Sequence, residues 1–381
     1  MKKKYGIVIC ARNERLVIGN LIDSIRAQTY DPSLLTIFVV ADNCTDNTAA
    51  VAAAGGAKVF QRFNTCQVGK GYALHYLLEQ MRLEGELERY DAFLIFDADN
   101  LLQSDYIRQI NLVRSQGYDV FCGYRNSKNF GSSWISSGHA LWYLHESAHL
   151  NQSRMLLGNC CTVSGTGFGF TRQLLDRIGG WNFFTLTEDI EFRTWCATHG
   201  ITIGYCHDAV LYDEQPTTFS QSWRQRQRWA KGYIQVFHHY GRALLRGIAQ
   251  GSWACFDMTM NIMPAFFLSA VSIVCNLTSI ALGLISGGSA AAALWSLGEL
   301  LLGVYGTLFV VGAITTATEW RAIGAAWWKK VLYTFTFPLF MATYIPIAIS
   351  ALFCRVEWKP IEHRVTASQL RRRKDGSTLP F

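Results

Sequence analysis

Two carboxylates, Asp97 and Asp99, stand two residues apart in "FDADN" at the end of an apolar run. Neighbouring carboxylates repel unless a cation joins them. Hard, oxygen-liking Mg²⁺ or Mn²⁺ bridging to a substrate phosphate is the natural occupant. In an extended segment alternate side chains share a face, which would aim both acids at one ion; a solvated turn after a strand is the plainer alternative. Asp42 ends another apolar run, where it could accept hydrogen bonds from a base or ribose, while Asp46 stands where it would cap the next helix. Lys70, between glycines ahead of a helix, is placed to reach a phosphate. In "LTEDIEF", Glu188 and Asp189 open a helix at the end where its dipole favours acids, with Thr187 as the candidate cap. Gln225, Arg228 and Trp229 occupy i, i+3 and i+4 of "SWRQRQRWAKG" and so share one helical face, flanked by Arg224 and Arg226. Glutamines alternate with the arginines there, unlike a lipid-anchoring helix with a separate apolar face. The stretch reads as the lining of a polar site.

These residues need a frame, and the surrounding sequence supplies one. "YGIVICARNE" is an apolar run followed by a helical pattern in Leu16 to Arg26, and the stretch from Leu35 to Gly56 repeats that order. "AKVFQRF" and "DAFLIFDADN" are further strands, with a helix through Tyr72 to Arg82 between them. Alternating strand and helix predicts a parallel sheet wrapped by helices, with ligands at the carboxyl ends of the strands, where the polar clusters fall. No GxGxxG opens the first helix, which argues against a dinucleotide-binding oxidoreductase.

The 381 residues are 50% apolar and 17% charged, with a net charge of +7, and that average hides two halves. Charge is spread through Met1 to Arg246. Phe256 to Ile285, Leu294 to Thr316 and Val331 to Phe353 are each apolar enough to cross a bilayer, which takes about 20 residues. Pro264, Pro338 and Pro346 interrupt two of them. Trp320, Trp327 and Trp328 with Lys329 and Lys330 resemble an interfacial helix. Three crossings would put "RRRK", Arg371 to Lys374, outside the cell, against the positive-inside tendency, so one segment is re-entrant or the first run holds a second crossing. "EWKPIEH", Glu357 to His363, is expected at the cytosolic interface. Eleven cysteines, an odd number without a CxxC pair, point to reduced thiols, with Cys160 and Cys161 as packing residues.

"DNCTD", "FDADN", "TED" and "QRQRW", in that order and ahead of apolar helices, resemble the membrane-integrated family 2 glycosyltransferases, the group of cellulose, chitin and hyaluronan synthases and ceramide glucosyltransferases. The resemblance implies an α/β fold: a GT-A-type nucleotide-sugar-binding domain followed by an α-helical transmembrane region. It implies a cytosolic catalytic domain at 1–218, interfacial helices carrying QxxRW at 219–250, transmembrane helices at 251–356 and a basic cytosolic tail at 357–381, in a multi-pass protein of the plasma membrane. By the same resemblance Asp42 contacts the uracil or ribose of a UDP-sugar, Lys70 the phosphates, and Asp97 and Asp99 the Mg²⁺ or Mn²⁺ on the diphosphate. Asp189 becomes the general base, with Glu188 beside it. Gln225 and Arg228 face the pyrophosphate, and Trp229 the acceptor. Thr187, Gly165 and Thr166 are further acceptor-side candidates, with Cys160, Cys161 and Phe168 near them by position. The sequence departs from the family where many relatives carry two acids in "DDGS": here Ala41 precedes Asp42. It also begins directly with the catalytic strand.

The expected function is inverting, metal-dependent transfer from a UDP-sugar to a membrane-associated acceptor. A growing polysaccharide is the first acceptor and a lipid hydroxyl the alternative. A membrane-anchored protein that binds anionic lipid or nucleic acid through Ser222 to Gly232 is the contrasting class. It leaves the ordered carboxylates unexplained, so no nucleic-acid partner is expected.

Overall fold

The computed structural model describes residues 2–286, 290–354 and 356. The first half builds one eight-stranded sheet in the order β3-β2-β1-β4-β7-β6-β8-β5. Its strands are β1 (Tyr5–Ala11), β2 (Leu35–Asp42), β3 (Lys58–Arg62), β4 (Ala92–Asp97), β5 (Leu101–Leu102), β6 (Val120–Ser127), β7 (Phe168–Thr171) and β8 (Ile203–Asp213). The helices in this half are α1 (Ile18–Arg26), α2 (Thr48–Ala54), α3 (Lys70–Leu83), α4 (Tyr106–Ser115), α5 (Trp134–His145), α6 (Gln152–Leu156), α7 (Arg172–Ile178) and α8 (Glu188–Thr198). β1, β2, β3 and β4 pair in parallel as expected, but β7 runs antiparallel to both β4 and β6, and β5 antiparallel to β8. The sheet is therefore mixed, not wholly parallel.

The near-continuous apolar runs of β1, β2 and β4 reflect burial on both faces. Val8, Phe38, Val40, Phe93 and Ile95 join one core, and Ile7, Ile9, Val39, Leu94 and Phe96 join the other. That alternation assigns Asp97, two residues beyond Ile95, to the face covered by α3. It does not extend to Asp99, because β4 ends at Asp97 and a turn follows, in which Asn100 N donates to Asp97 O at 3.1 Å.

The second half is helical: α9 (Phe219–Ala249), α10 (Trp253–Ile262), α11 (Pro264–Ile285), α12 (Ala290–Thr318), α13 (Trp327–Ala342) and α14 (Tyr344–Phe353). The apolar run expected to be one segment from Phe256 to Ile285 is two helices. α10 buries Cys255, Met258 and Ile262 against α8 and α9, and Pro264, at the first position of α11, starts a new helix because it has no N–H to continue the old one. Among the described residues, Leu294–Thr318 and Trp327–Phe353 are long and apolar enough to cross a membrane, and Ile273–Ile285 is a shorter apolar helix. Trp327 to Lys330 form the first turn of α13 and no separate interfacial helix. Lys329 and Lys330 direct their ammonium groups to protein carbonyls, those of Gly131 at 2.6 Å and Trp320 at 2.5 Å. Glu357–His363, Arg371–Lys374 and the expected tail lie outside the described residues.

Candidate active site

The carboxyl ends of β1, β2 and β4 open into a cavity of about 1460 Å³ that continues past α8 and α9 to α12 and α14. Asp42, at the end of β2, lies on its wall in a buried ion pair with Arg62 at 2.6 Å, and Arg62 also donates to Gln67 O at 2.7 Å. The acid is thus neutralised by a β3 arginine that sequence reasoning did not single out. Asp46 accepts from Thr48 N at 3.0 Å at the start of α2, as a capping acid would.

Lys70 is the first residue of α3, and its ammonium binds Asp97 and, at 2.6 Å, the carbonyl of Gly165. The neighbouring Asp97 carboxylate raises the Lys70 pKa despite burial, so the cation is fixed. Asp99 Oδ2 accepts from Glu214 N at 2.8 Å, just beyond β8. Both acids face the cavity, but through a strand end and a turn, not through one extended segment. Gly165 has φ of +82°, a conformation that L side chains avoid, and an added Cβ would lie 3.5 Å from Asp189 Oδ2. This loop brings the Lys70–Asp97 pair and the α8 acids together.

Glu188 and Asp189 open α8 on the cavity wall. Burial, reinforced by Asp189, pushes the Glu188 carboxyl up to about 7. Burial also raises Asp189, while the backbone N–H of Ile190 and the charges of Lys70 and Arg228 oppose the rise. Thr187 is no side-chain cap: its hydroxyl is buried without a hydrogen-bond partner among the described residues. α3 and α8 meet at Gly71, where a Cβ would stand 2.1 Å from Phe183 O.

α9 carries "RQRQRWAK" as a two-sided helix. Arg224, Gln225, Arg228 and Trp229 line the cavity. Arg228 donates to Leu186 O at 2.5 Å, and Trp229 packs edge-on to His139 with centroids 5.8 Å apart. His139 is fixed by Ser222 Oγ at 2.8 Å. Arg226 turns away. It is fully buried, donates to Phe340 O at 3.2 Å and Thr343 Oγ1 at 2.8 Å, and lies 4.4 Å over the Phe340 ring. Lys231 reaches Ala351 O at 3.2 Å. These two cations hold the α13–α14 break against α9 and do not enter the polar site.

Thr166, an expected acceptor contact, is buried behind the acids: it bonds Asn100 and accepts from Asp97 N at 3.0 Å. Cys160, Cys161 and Phe168 are core residues. All the cysteines are free.

Two polar clusters escaped sequence reasoning. Arg125 and Asp213 form a buried ion pair on the cavity wall, with Arg125 donating to Ser164 O at 2.6 Å and stacked 3.7 Å over Tyr143. Arg154 grips Asp257 through two bonds of 2.9 and 3.0 Å, and Arg193 adds a third at 3.1 Å. Their partners lie far apart in sequence, so no spacing announces them. Glu146 also lies on the wall; burial raises its carboxyl against the charges of Arg154, Arg193 and Arg125.

Among the described residues no three His, Cys, Asp or Glu side chains form a metal-holding group. Two carboxylates beside an open cavity nevertheless fit Mg²⁺ or Mn²⁺, which takes one or two acids and completes its shell with phosphate oxygens and water.

The family described as "Glycosyltransferase like family 2" matches residues 3–232. A beta-monoglucosyldiacylglycerol synthase of Synechocystis sp. is 27% identical over 62% of this chain and 49% of its own length. A poly-beta-1,6-N-acetyl-D-glucosamine synthase of Staphylococcus aureus is 24% identical over 60% of this chain and 54% of its own. The chain thus spans about half the length of these curated relatives. Among solved structures, the mannosyltransferase PcManGT from Pyrobaculum calidifontis, in complex with GDP-Man and Mn²⁺, superposes with a TM-score of 0.57 at 16% identity, covering 93% of this chain and 88% of that one.

Proposed function

We propose that this chain, which belongs to glycosyltransferase family 2, moves a sugar from a nucleoside-diphosphate sugar to a hydroxyl of a membrane-borne acceptor, with inversion at the anomeric carbon. Its first half has the GT-A-type fold. The observation that carries the reading is a single cavity lined both by Lys70, Asp97, Asp99 and Asp189 and by Leu300, Val304, Leu308 and Ile345. A polar diphosphate and an apolar chain can thus meet at one carboxylate. That apolar lining favours a lipid-borne acceptor over the growing polysaccharide. A UDP-sugar is the donor that the family resemblance implies.

In this reading Asp189 takes the acceptor proton as the hydroxyl oxygen bonds to the anomeric carbon. The bond from that carbon to the diphosphate oxygen breaks with its electron pair on the leaving nucleotide. A positioned base contributes about 10²- to 10⁴-fold. The leaving diphosphate gains negative charge, so Lys70 and Arg228 stabilise the transition state more than the ground state. Asp97 and Asp99 would hold a divalent cation, which supplies further charge neutralisation at the diphosphate. Asp42, with Arg62 behind it, orients the base or ribose, and Gln225, Trp229 and Thr187 border the acceptor.

The spans Leu294–Thr318 and Trp327–Phe353 support a membrane location, because Leu294, Trp295, Leu301 and Leu302 turn their side chains outward, as lipid-facing residues do. The catalytic half is proposed to lie on the cytosolic side, where nucleotide sugars are made.

The test is nucleotide release by the full chain in lipid nanodiscs, across a panel of UDP- and GDP-sugars with Mg²⁺ or Mn²⁺, with sizing of any labelled product. A labelled lipid of one or a few sugars is expected. Long polymer would return the acceptor to a growing glycan, and no release from any donor would overturn the reading.

A further inference from the structure

The cavity wall carries a second polar patch, on the helix that follows β6. Its key side chain is Glu146, which opens a π-helical turn, Glu146–Asn151, continuing from α5. Such turns recur at functional sites because they re-aim side chains at one point of a helix. Glu146 is only 7% exposed and faces the cavity, yet its carboxyl has no hydrogen-bond partner among the described residues. A carboxyl turned into a cavity without a protein donor takes its hydrogen bonds from water or from a ligand there. The arginines whose fields reach it do not bond to it: Arg125 is held by Asp213 and Ser164 O, and Arg154 by Asp257 and Thr162.

Trp142, one turn earlier, lines the same wall. An indole face beside an acceptor-only carboxylate suits a sugar ring, whose C–H face stacks on the aromatic while neighbouring hydroxyls donate to the two oxygens. The same stretch of helix also packs on the end of α12. His145 and His149, on either side of Glu146, bond Thr315 and Thr318 at the end of α12, each at 3.1 Å.

Resting on the glycosyl-transfer reading above, we propose that Glu146 and Trp142 bind a sugar ring already present on the acceptor. The enzyme then extends a glycosylated acceptor and does not glycosylate a bare lipid alcohol. An earlier glycosylation must therefore supply its substrate.

The test is calorimetric titration of the full chain in nanodiscs with hexyl β-glucoside, hexyl β-galactoside, a free disaccharide and hexan-1-ol. UDP with Mn²⁺ is titrated as a check of folding. At least one hexyl glycoside should bind more tightly than hexanol, and E146A and W142A should each weaken it by roughly tenfold or more, as loss of a charged hydrogen bond or a stacked ring does. E146Q, which keeps the side-chain volume, replaces E146A if the latter no longer binds UDP. A disaccharide bound as tightly as the glycoside assigns the ring to a glycan; preference for the glycoside assigns it to a glycolipid. Glycosides binding no better than hexanol, or binding unchanged in the Glu146 and Trp142 variants, would overturn the subsite. Intact glycoside binding without nucleotide release from any donor would instead count against glycosyl transfer.

Discussion

Replacing Asp189 by Asn tests the proposed chemistry at its centre. The substitution preserves shape, so the packing of the Gly165 loop beside residue 189 should survive. What is lost is the base. A loss of about 10²- to 10⁴-fold in kcat is expected, equivalent to about 2.7 to 5.4 kcal/mol at about 1.36 kcal/mol per decade. Nucleotide affinity should persist, because Lys70, Asp97 and Asp99 are untouched. A second effect follows from the pairing of acids on α8. Asp189 helps to hold Glu188 up at about 7, so removing its charge should lower the Glu188 pKa, although burial, the larger cause, keeps it above an ordinary glutamate. Nucleotide release in nanodiscs measures the first effect, and carboxyl titration by infrared difference spectroscopy the second. D189N turning over within about tenfold of the unaltered chain would refute the base assignment.

The raised Glu188 and Asp189 also make stability pH-dependent. Acids whose folded pKa lies above the unfolded value favour the fold below the unfolded pKa, and that contribution is lost as pH rises through the folded value. The thermal midpoint of the ligand-free chain should therefore fall as pH rises from the ordinary glutamate value of 4.5 to about 7, where the Glu188 part is fully lost, and level off above that. R226A should lower stability by roughly 3 kcal/mol in denaturant or thermal unfolding, since it empties a fully buried site and removes the bonds to Phe340 O and Thr343 Oγ1. R226K should not restore it, because an ammonium cannot reproduce the planar stacking on Phe340. G71A places a Cβ 2.1 Å from Phe183 O and should cost about 1 to 3 kcal/mol, with nucleotide release reduced because the start of α8 must shift. Chelation of divalent cations should weaken nucleotide binding, and D97N should lose the response to added Mn²⁺; equal affinity with and without metal would exclude the acid pair as its site.

Much of the catalytic frame was legible in the residues themselves. The apolar runs of β1, β2 and β4 are local signals, and the acids at their ends fall where strands of an α/β sheet present ligands. Glu188 and Asp189 at the start of α8, and Arg228 and Trp229 on one face of α9, follow from helical spacing. Local pattern fails where a residue's role depends on what folds against it. Helical phase puts Arg228, which lines the cavity, and Arg226, which clamps α13, on different faces of "RQRQRW", but only the packed helices decide which face meets which neighbour. The antiparallel insertion of β7 depends on long-range pairing. Thr166 sits beside the active loop in sequence but is buried beneath it, because its hydroxyl is drawn to Asn100 and Asp97. Arg62–Asp42, Arg125–Asp213 and Arg154–Asp257 join residues 20, 88 and 103 positions apart. Sequence by itself determined the sheet's central strands, the acids at their ends and the apolar helices, because periodicity and chain termini of elements are local properties. Tertiary structure decided which charges are neutralised, which hydroxyls are buried and which carboxyl is left facing the cavity without a partner, because those depend on the environment that distant segments build around each group.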